Sequence, residues 1–284
     1  MIFLLVALRY SSSINFFAVK TPRILLIIAS IMLFSACSTV PITGRRQVSM
    51  LPEGLLGEMA AANYQGFMNE HTVVPSSDPR AQMVQRSGQK ISEAVVNYLR
   101  DTGQARRVQD FDWEFNLVES EQVNAWAMPG GKIAIYTGIL SLTRDENGLA
   151  VVMSHEIAHA VARHGNERMS QQLLLTMGAV SLDVALREKP EQTRDLFLLA
   201  YGVGGTLGNL AYSRQHEYEA DALGMVFMAM AGYDPSHAIT FWERMLEYSG
   251  GAQVPEFLST HPTNKSRINA AKKFLPEAMT YYKP

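Results

Sequence analysis

The chain has 284 residues, with 25 basic and 27 acidic side chains and a formal net charge of −2, enough length for one or two domains with a sizeable core. No basic run marks a face that would neutralise a phosphate backbone, so nucleic acid is not an expected partner. A single cysteine excludes an intrachain disulfide and any cysteine-based zinc or iron–sulfur cluster, so a bound metal must be held by His, Asp or Glu.

The chain opens with "MIFLLVALRYSSSINFFAVK", which fits no signal and contributes nothing to the fold reading. Lys20 and Arg23 then precede the apolar run "ILLIIASIMLF" and the small-residue end "SAC". That run is short for a membrane span of about 20 residues and reads instead as a secretory signal, residues 1–36 in all. It is similar to a bacterial lipoprotein signal, which makes Cys37 the lipidated N-terminus and the membrane a partner. The resulting expectation is a lipoprotein of the cell envelope facing the periplasm. Ser38 after the cysteine favours the outer membrane by analogy.

Residues 37–51, "STVPITGRRQVSM" and its flanks, are broken by Pro and Gly and are expected to be a tether. Residues 52–284 are expected to be one domain. From Pro52 to about Arg100, apolar residues recur every three or four positions, predicting two helices separated by "VVPSSDP". "DFDWEFNLVES" and "KIAIYTGIL" are rich in β-formers, with "MPGG" as a turn, predicting a small antiparallel sheet. From Arg144 onward the period is helical, with breaks near Lys189-Pro190, Gly232, Gly250-Gly251 and Pro262. The uncharged stretch 196–212, "LFLLAYGVGGTLGNLAY", reads as a buried helix. It is not a dinucleotide loop, since Leu207 stands where the last glycine would be needed. The fold class is α+β, mostly helical.

"HEIAH" places His155 and His159 four apart on one helix face, where both can direct a nitrogen at one ion. Glu156, about 100° further round, reaches the side where a water on that ion would lie. A catalytic zinc takes three protein ligands, and the third is sought downstream. His164 does not share the face and reads as a helix-end residue favoured by the macrodipole. In "HEYEAD", Glu217 and Asp221 are four apart, with Gly224 extending the stripe and permitting close approach of the two helices. Glu217 serves as ligand, Asp221 accepts a hydrogen bond from a ligand histidine, and Tyr218 and Glu219 face elsewhere.

These residues resemble the gluzincins, and within them the M48 class of membrane-associated zinc endopeptidases, with a zincin-like domain. "PITGRRQ", "NAWAMPGGKIAIYTGIL" and "THPTNKSRI" carry the likeness across most of the body, although Trp126 stands where a smaller aromatic is common. The resemblance implies one Zn2+ per chain. It also implies that Asn124 and Ala125 lie on an edge strand where a peptide substrate pairs, and that His261 and Arg267 approach the metal from a loop. Glu156 is then the general base, and His261, Tyr212 or Tyr218 stabilises the oxyanion. The expected substrates are unfolded or misassembled envelope proteins, and residues 160–216, including Gly-rich 202–208, are expected to cover the cleft in part. Two alternatives remain. One is an envelope chaperone or assembly factor whose zinc is closed off by His261 as a fourth ligand; the other is a zinc aminopeptidase. Oligomeric state is not legible.

Overall fold

The computed structural model describes residues 37–177, 191, 193–196, 213–250 and 255–284. The signal-like segment 1–36, the Lys189-Pro190 break, Tyr212 and the Gly-rich stretch 202–208 lie outside the described residues.

Strands β1 (Cys37–Thr39) and β2 (Arg46–Val48) pair antiparallel, Ser38 facing Gln47. The turn between them uses Ile42 at φ 66° and Gly44 at φ 65°. Residues 37–51, expected as a tether, are therefore a folded hairpin, with Val40, Gln47 and Leu51 buried against the domain. The Pro and Gly that suggested a tether, Pro41 and Gly44, build the turn itself.

Helix α1 (Glu53–Glu70) buries Leu56, Ala60, Tyr64 and Phe67, a stripe at spacings of four and three. Helix α2 (Pro79–Asp101) starts where Asp78 accepts the Arg80 amide and Pro79 occupies the first turn. It buries Val84, Ile91, Val95 and Leu99. Strands β3 (Glu114–Val118), β4 (Ala125–Met128) and β5 (Lys132–Tyr136) form a sheet in the order β3-β5-β4. β4 and β5 are antiparallel across the expected turn, which needs positive φ at Gly130 (76°) and Gly131 (84°). β3 instead lies parallel to β5, so the sheet is mixed and β4 is its edge. Ile133 and Ile135 join the main core while Ala134 and Tyr136 join a second cluster with α1, which explains the unbroken apolar run "IAIY".

Helix α3 (Glu146–Ala162), capped by Asp145 on the Gly148 amide, is almost wholly buried. It packs against α2, β4, α5 (Arg214–Met230) and α6 (His237–Ser249). Arg163, at φ 61°, ends it and redirects the chain into α4 (His164–Met177). Ser213 caps α5, and Asn264 caps the last helix, α8 (Lys265–Met279). A short α7 (Glu256–Thr260) precedes His261. The breaks at Gly232, Gly250 and Pro262 fall where the sequence pattern predicts them.

Candidate metal centre

His155 and His159 point from one face of α3, and Glu217 meets them from the first turn of α5. All three are buried to 2% exposure or less. His155 Nε2 is 3.1 Å from His159 Nε2 and 3.5 Å from Glu217 Oε2. Glu217 Oε1 is 3.4 Å from His159 Nε2. Gly224 makes this approach possible, because its Cα faces the backbone of Ser154 and His155.

A fourth donor completes the group. His261 Nδ1 lies 3.3 Å from His155 Nε2 and 3.1 Å from Glu217 Oε1. Phe257 holds it there, stacked on its ring at 4.5 Å and hydrogen-bonded through its own amide to Val123 O. For a tetrahedral zinc with bonds of about 2.0–2.1 Å, ligand atoms stand about 3.3 Å apart. Five of the six donor pairs, counting either oxygen of Glu217, are 3.1 to 3.5 Å apart, close to that edge length, and all four donors lie within 4.8 Å of one another. The donor types, imidazole and carboxylate, suit zinc as well.

The groups behind these donors explain how such polar atoms tolerate burial. Asp221 Oδ1 is 3.2 Å from His155 Nδ1, as expected for an orienting carboxylate. Arg267, 2% exposed and 4.0 Å above the Trp242 ring, places Nη1 at 2.6 Å from Glu217 Oε2, and Nε and Nη2 at 2.5 and 2.8 Å from Asp221. Burial raises the carboxyl of Glu217, but the Arg267 charge and the facing histidines outweigh it and hold it well below the ordinary range. Arg267 was expected to approach from a loop; it stands instead in the first turn of α8, with its guanidinium on the Glu217 and Asp221 carboxylates.

Glu156, 1% exposed, has Oε1 at 3.5 Å from His261 Nε2. Burial raises its proton affinity above the ordinary carboxylate range, despite the opposing pull of His261, His155 and the Ala127 amide. A group of that kind accepts a proton more readily than an exposed glutamate. Ala127 belongs to edge strand β4, and a cleft lined by Ala127, Pro129, His159, Arg163 and Asn166 runs beside it. The Asn124 carbonyl accepts the Tyr136 amide at 3.1 Å, and its side chain accepts the Ala125 amide at 2.9 Å. The Ala125 amide is therefore already satisfied on the free side of β4, contrary to the expectation of an unpaired edge at both positions.

Two residues escaped the sequence reading. His164, fully buried, sets Nδ1 at 2.9 Å from His159 Nδ1, and Glu219 Oε2 is 3.0 Å from His164 Nε2. Burial pushes His164 down to about 4, so it is neutral at pH 7. Its return to the site depends on the left-handed Arg163, which no periodicity announces. Glu219 does face away from the donor set, as expected, but onto His164 rather than solvent. The Tyr218 hydroxyl pairs with Ser266.

Residues 86–275 match the model of Peptidase family M48. "Mitochondrial metalloendopeptidase OMA1" of Schizosaccharomyces pombe is 33% identical over 252 residues, 86% of this chain and 68% of that protein. "Metalloendopeptidase OMA1, mitochondrial" of Danio rerio is 31% identical over 266 residues, 90% of this chain and 54% of its own length. "Beta-barrel assembly-enhancing protease" of Escherichia coli is 30% identical over 165 residues, 56% of this chain and 34% of its own. The chain thus spans about half the length of the zebrafish relative and a third of the bacterial one. These names overturn the envelope and outer-membrane address drawn from "SAC": the relatives aligned over most of the chain are mitochondrial by name, and the bacterial one aligns over little more than half. Among the described residues, no helix is long and apolar enough to cross a membrane.

Proposed function

The chain belongs to peptidase family M48 and is a zinc metalloendopeptidase, and on that premise we propose that His155, His159 and Glu217 hold the metal while Glu156 is the general base. The observation that carries this is the convergence of the buried His155, His159 and Glu217 donors on one point, with Glu156 1% exposed beside His261 at the same point. Zinc held there acidifies water towards a pKa of about 7 and polarises a carbonyl. Glu156 takes the proton from the attacking water and returns it to the leaving amine. Asp221 orients His155, and Arg267 keeps Glu217 ionised.

The substrate is an extended peptide running along β4, its backbone paired with the edge near Asn124 and Ala125, with the Asn124 side chain turning aside to release the Ala125 amide. Unfolded or misassembled chains present such a segment, and the name of the bacterial relative, an assembly-enhancing protease, is in keeping with that class. In the decisive experiment, E156Q keeps stoichiometric zinc and loses casein cleavage. Cleavage at the wild-type rate by E156Q would refute the assignment.

One observation favours a second reading. His261 Nδ1 occupies the corner where a catalytic zinc keeps an open position, which suits a closed site in a chaperone or assembly factor. H261A separates the two roles of that residue. Faster casein turnover marks a closing ligand, and slower turnover with zinc retained marks an oxyanion stabiliser.

A further inference from the structure

The β1–β2 hairpin reaches the buried ligand His159 through a chain of side chains. Arg45 enters between two carboxylates, with Nη1 and Nη2 at 2.9 and 2.7 Å from Glu167 and Nε at 2.7 Å from Glu219. The Thr43 hydroxyl donates to Glu219 Oε1 at 2.5 Å. Glu219 Oε2 contacts His164 Nε2 at 3.0 Å, and His164 Nδ1 contacts His159 Nδ1 at 2.9 Å.

Proton placement along this chain follows from the ligand. A cation at His159 Nε2 takes that lone pair, so Nδ1 retains its hydrogen and must donate. His164 Nδ1 is then the acceptor, and a neutral His164 carries its hydrogen on Nε2, directed at Glu219. The opposite polarity would require a protonated carboxyl beside Arg45. We propose that His164 is a positioning residue that sets the tautomer and ring plane of His159, and that Thr43 and Arg45 of the hairpin complete the relay by fixing Glu219. The proposal rests on the reading of His159 as a metal ligand. It makes residues 37–48 part of the metal centre: His155 Nδ1 has the Asp221 carboxylate in direct reach, whereas His159 Nδ1 is linked to the Glu219 carboxylate through the His164 imidazole, and the hairpin fixes that carboxylate from behind.

Glu167 provides an internal control. It grips Arg45 as Glu219 does, but its other partner is His216, at 3.0 Å, which is not among the donors. The test uses the full chain and its variants H164L, H164N, E219Q, R45M and E167Q. Zinc affinity is read by competition with a chromophoric chelator, together with the visible bands of the Co2+-loaded protein and thermal unfolding of the metal-stripped form. H164L and E219Q should lose about 10- to 100-fold in zinc affinity and shift the cobalt bands, with R45M intermediate. H164N recovers part of the loss, since its amide oxygen accepts from His159 Nδ1. E167Q should stay within about 3-fold of wild type, because it destabilises the hairpin without touching a partner of a ligand. Wild-type affinity with unchanged cobalt bands in E219Q and H164N overturns the relay, as does E167Q matching E219Q. Zinc binding that ignores replacement of His155 and His159 would instead overturn the metal reading beneath it.

Discussion

Substituting Gly224 asks how tightly the spacing of α3 and α5 sets the metal centre. A Cβ at this position would lie 3.1 Å from the His155 amide nitrogen and 3.3 Å from both His155 Cα and Ser154 C. Those are helix backbone atoms, so relief requires one helix to move by a few tenths of an ångström. For G224A, alanine's helix propensity favours the variant by about 1 kcal/mol, and overpacking opposes it by about 1–3 kcal/mol. The net change is about 0–2 kcal/mol of destabilisation. Valine forfeits most of the propensity gain and adds two carbons, so G224V should cost about 2–4 kcal/mol. Glu217 and Asp221 share the stripe with Gly224, so the same displacement moves both carboxylates away from His155. Zinc coordination tolerates about 0.2 Å, and zinc affinity of G224V should fall about 10-fold or more. Chelator competition on the loaded protein and denaturant unfolding of the stripped protein measure the two effects separately. Wild-type zinc affinity in a folded, destabilised G224V would refute the claim that this contact sets the ligand geometry.

R267M leaves Glu217 and Asp221 buried without their shared cation and should cost about 3–5 kcal/mol in denaturant unfolding of the metal-stripped protein, with R267K recovering part of it; a loss under about 1 kcal/mol would refute the bracing role. Burial raises Glu167, but hydrogen bonds from His216 and Arg45 prevail and hold it at about 2, against an ordinary 4.5. Because the folded value is the lower one, its stabilisation is complete above about 4.5 and disappears as pH falls towards 2. R45M should therefore move the acid-unfolding midpoint, followed by circular dichroism, to higher pH, and an unchanged midpoint would count against the pairing. Burial disfavours charge on His155, yet Asp221 and Glu217 together raise it to about 9. Zinc binding at pH 7 should accordingly release about one proton, read by calorimetry in buffers of differing ionisation enthalpy, and affinity should weaken as pH falls below 9. Release near zero would contradict the protonated His155.

Much of the centre was legible because it is local. His155, Glu156 and His159 lie within one turn and a residue of α3, and Glu217, Asp221 and Gly224 within two turns of α5, where a fixed rotation per residue dictates the shared face. The close approach at Gly224 followed from the same argument, as did the antiparallel β4–β5 pair from its Gly-Gly turn. Residues 37–51 misled the reading because Pro and Gly mark hairpin turns as readily as open linkers, and only the docking of Arg45 on Glu167 and Glu219 distinguishes the two.

The amino-acid pattern alone determined the helix-rich class, the two stripes that carry the candidate ligands, the choice of an imidazole and carboxylate site over a cysteine one, and the residue proposed as base. Tertiary structure alone decided that His261 shares the donor corner, that Arg267 serves Glu217 and Asp221, that β3 runs parallel to β5, and that a hairpin reaches His159 through Glu219 and His164. The division has a physical cause. Spacing along a helix or strand encodes direction through backbone geometry, whereas the distance between segments such as Arg45 and Glu219 is set only when the whole core packs.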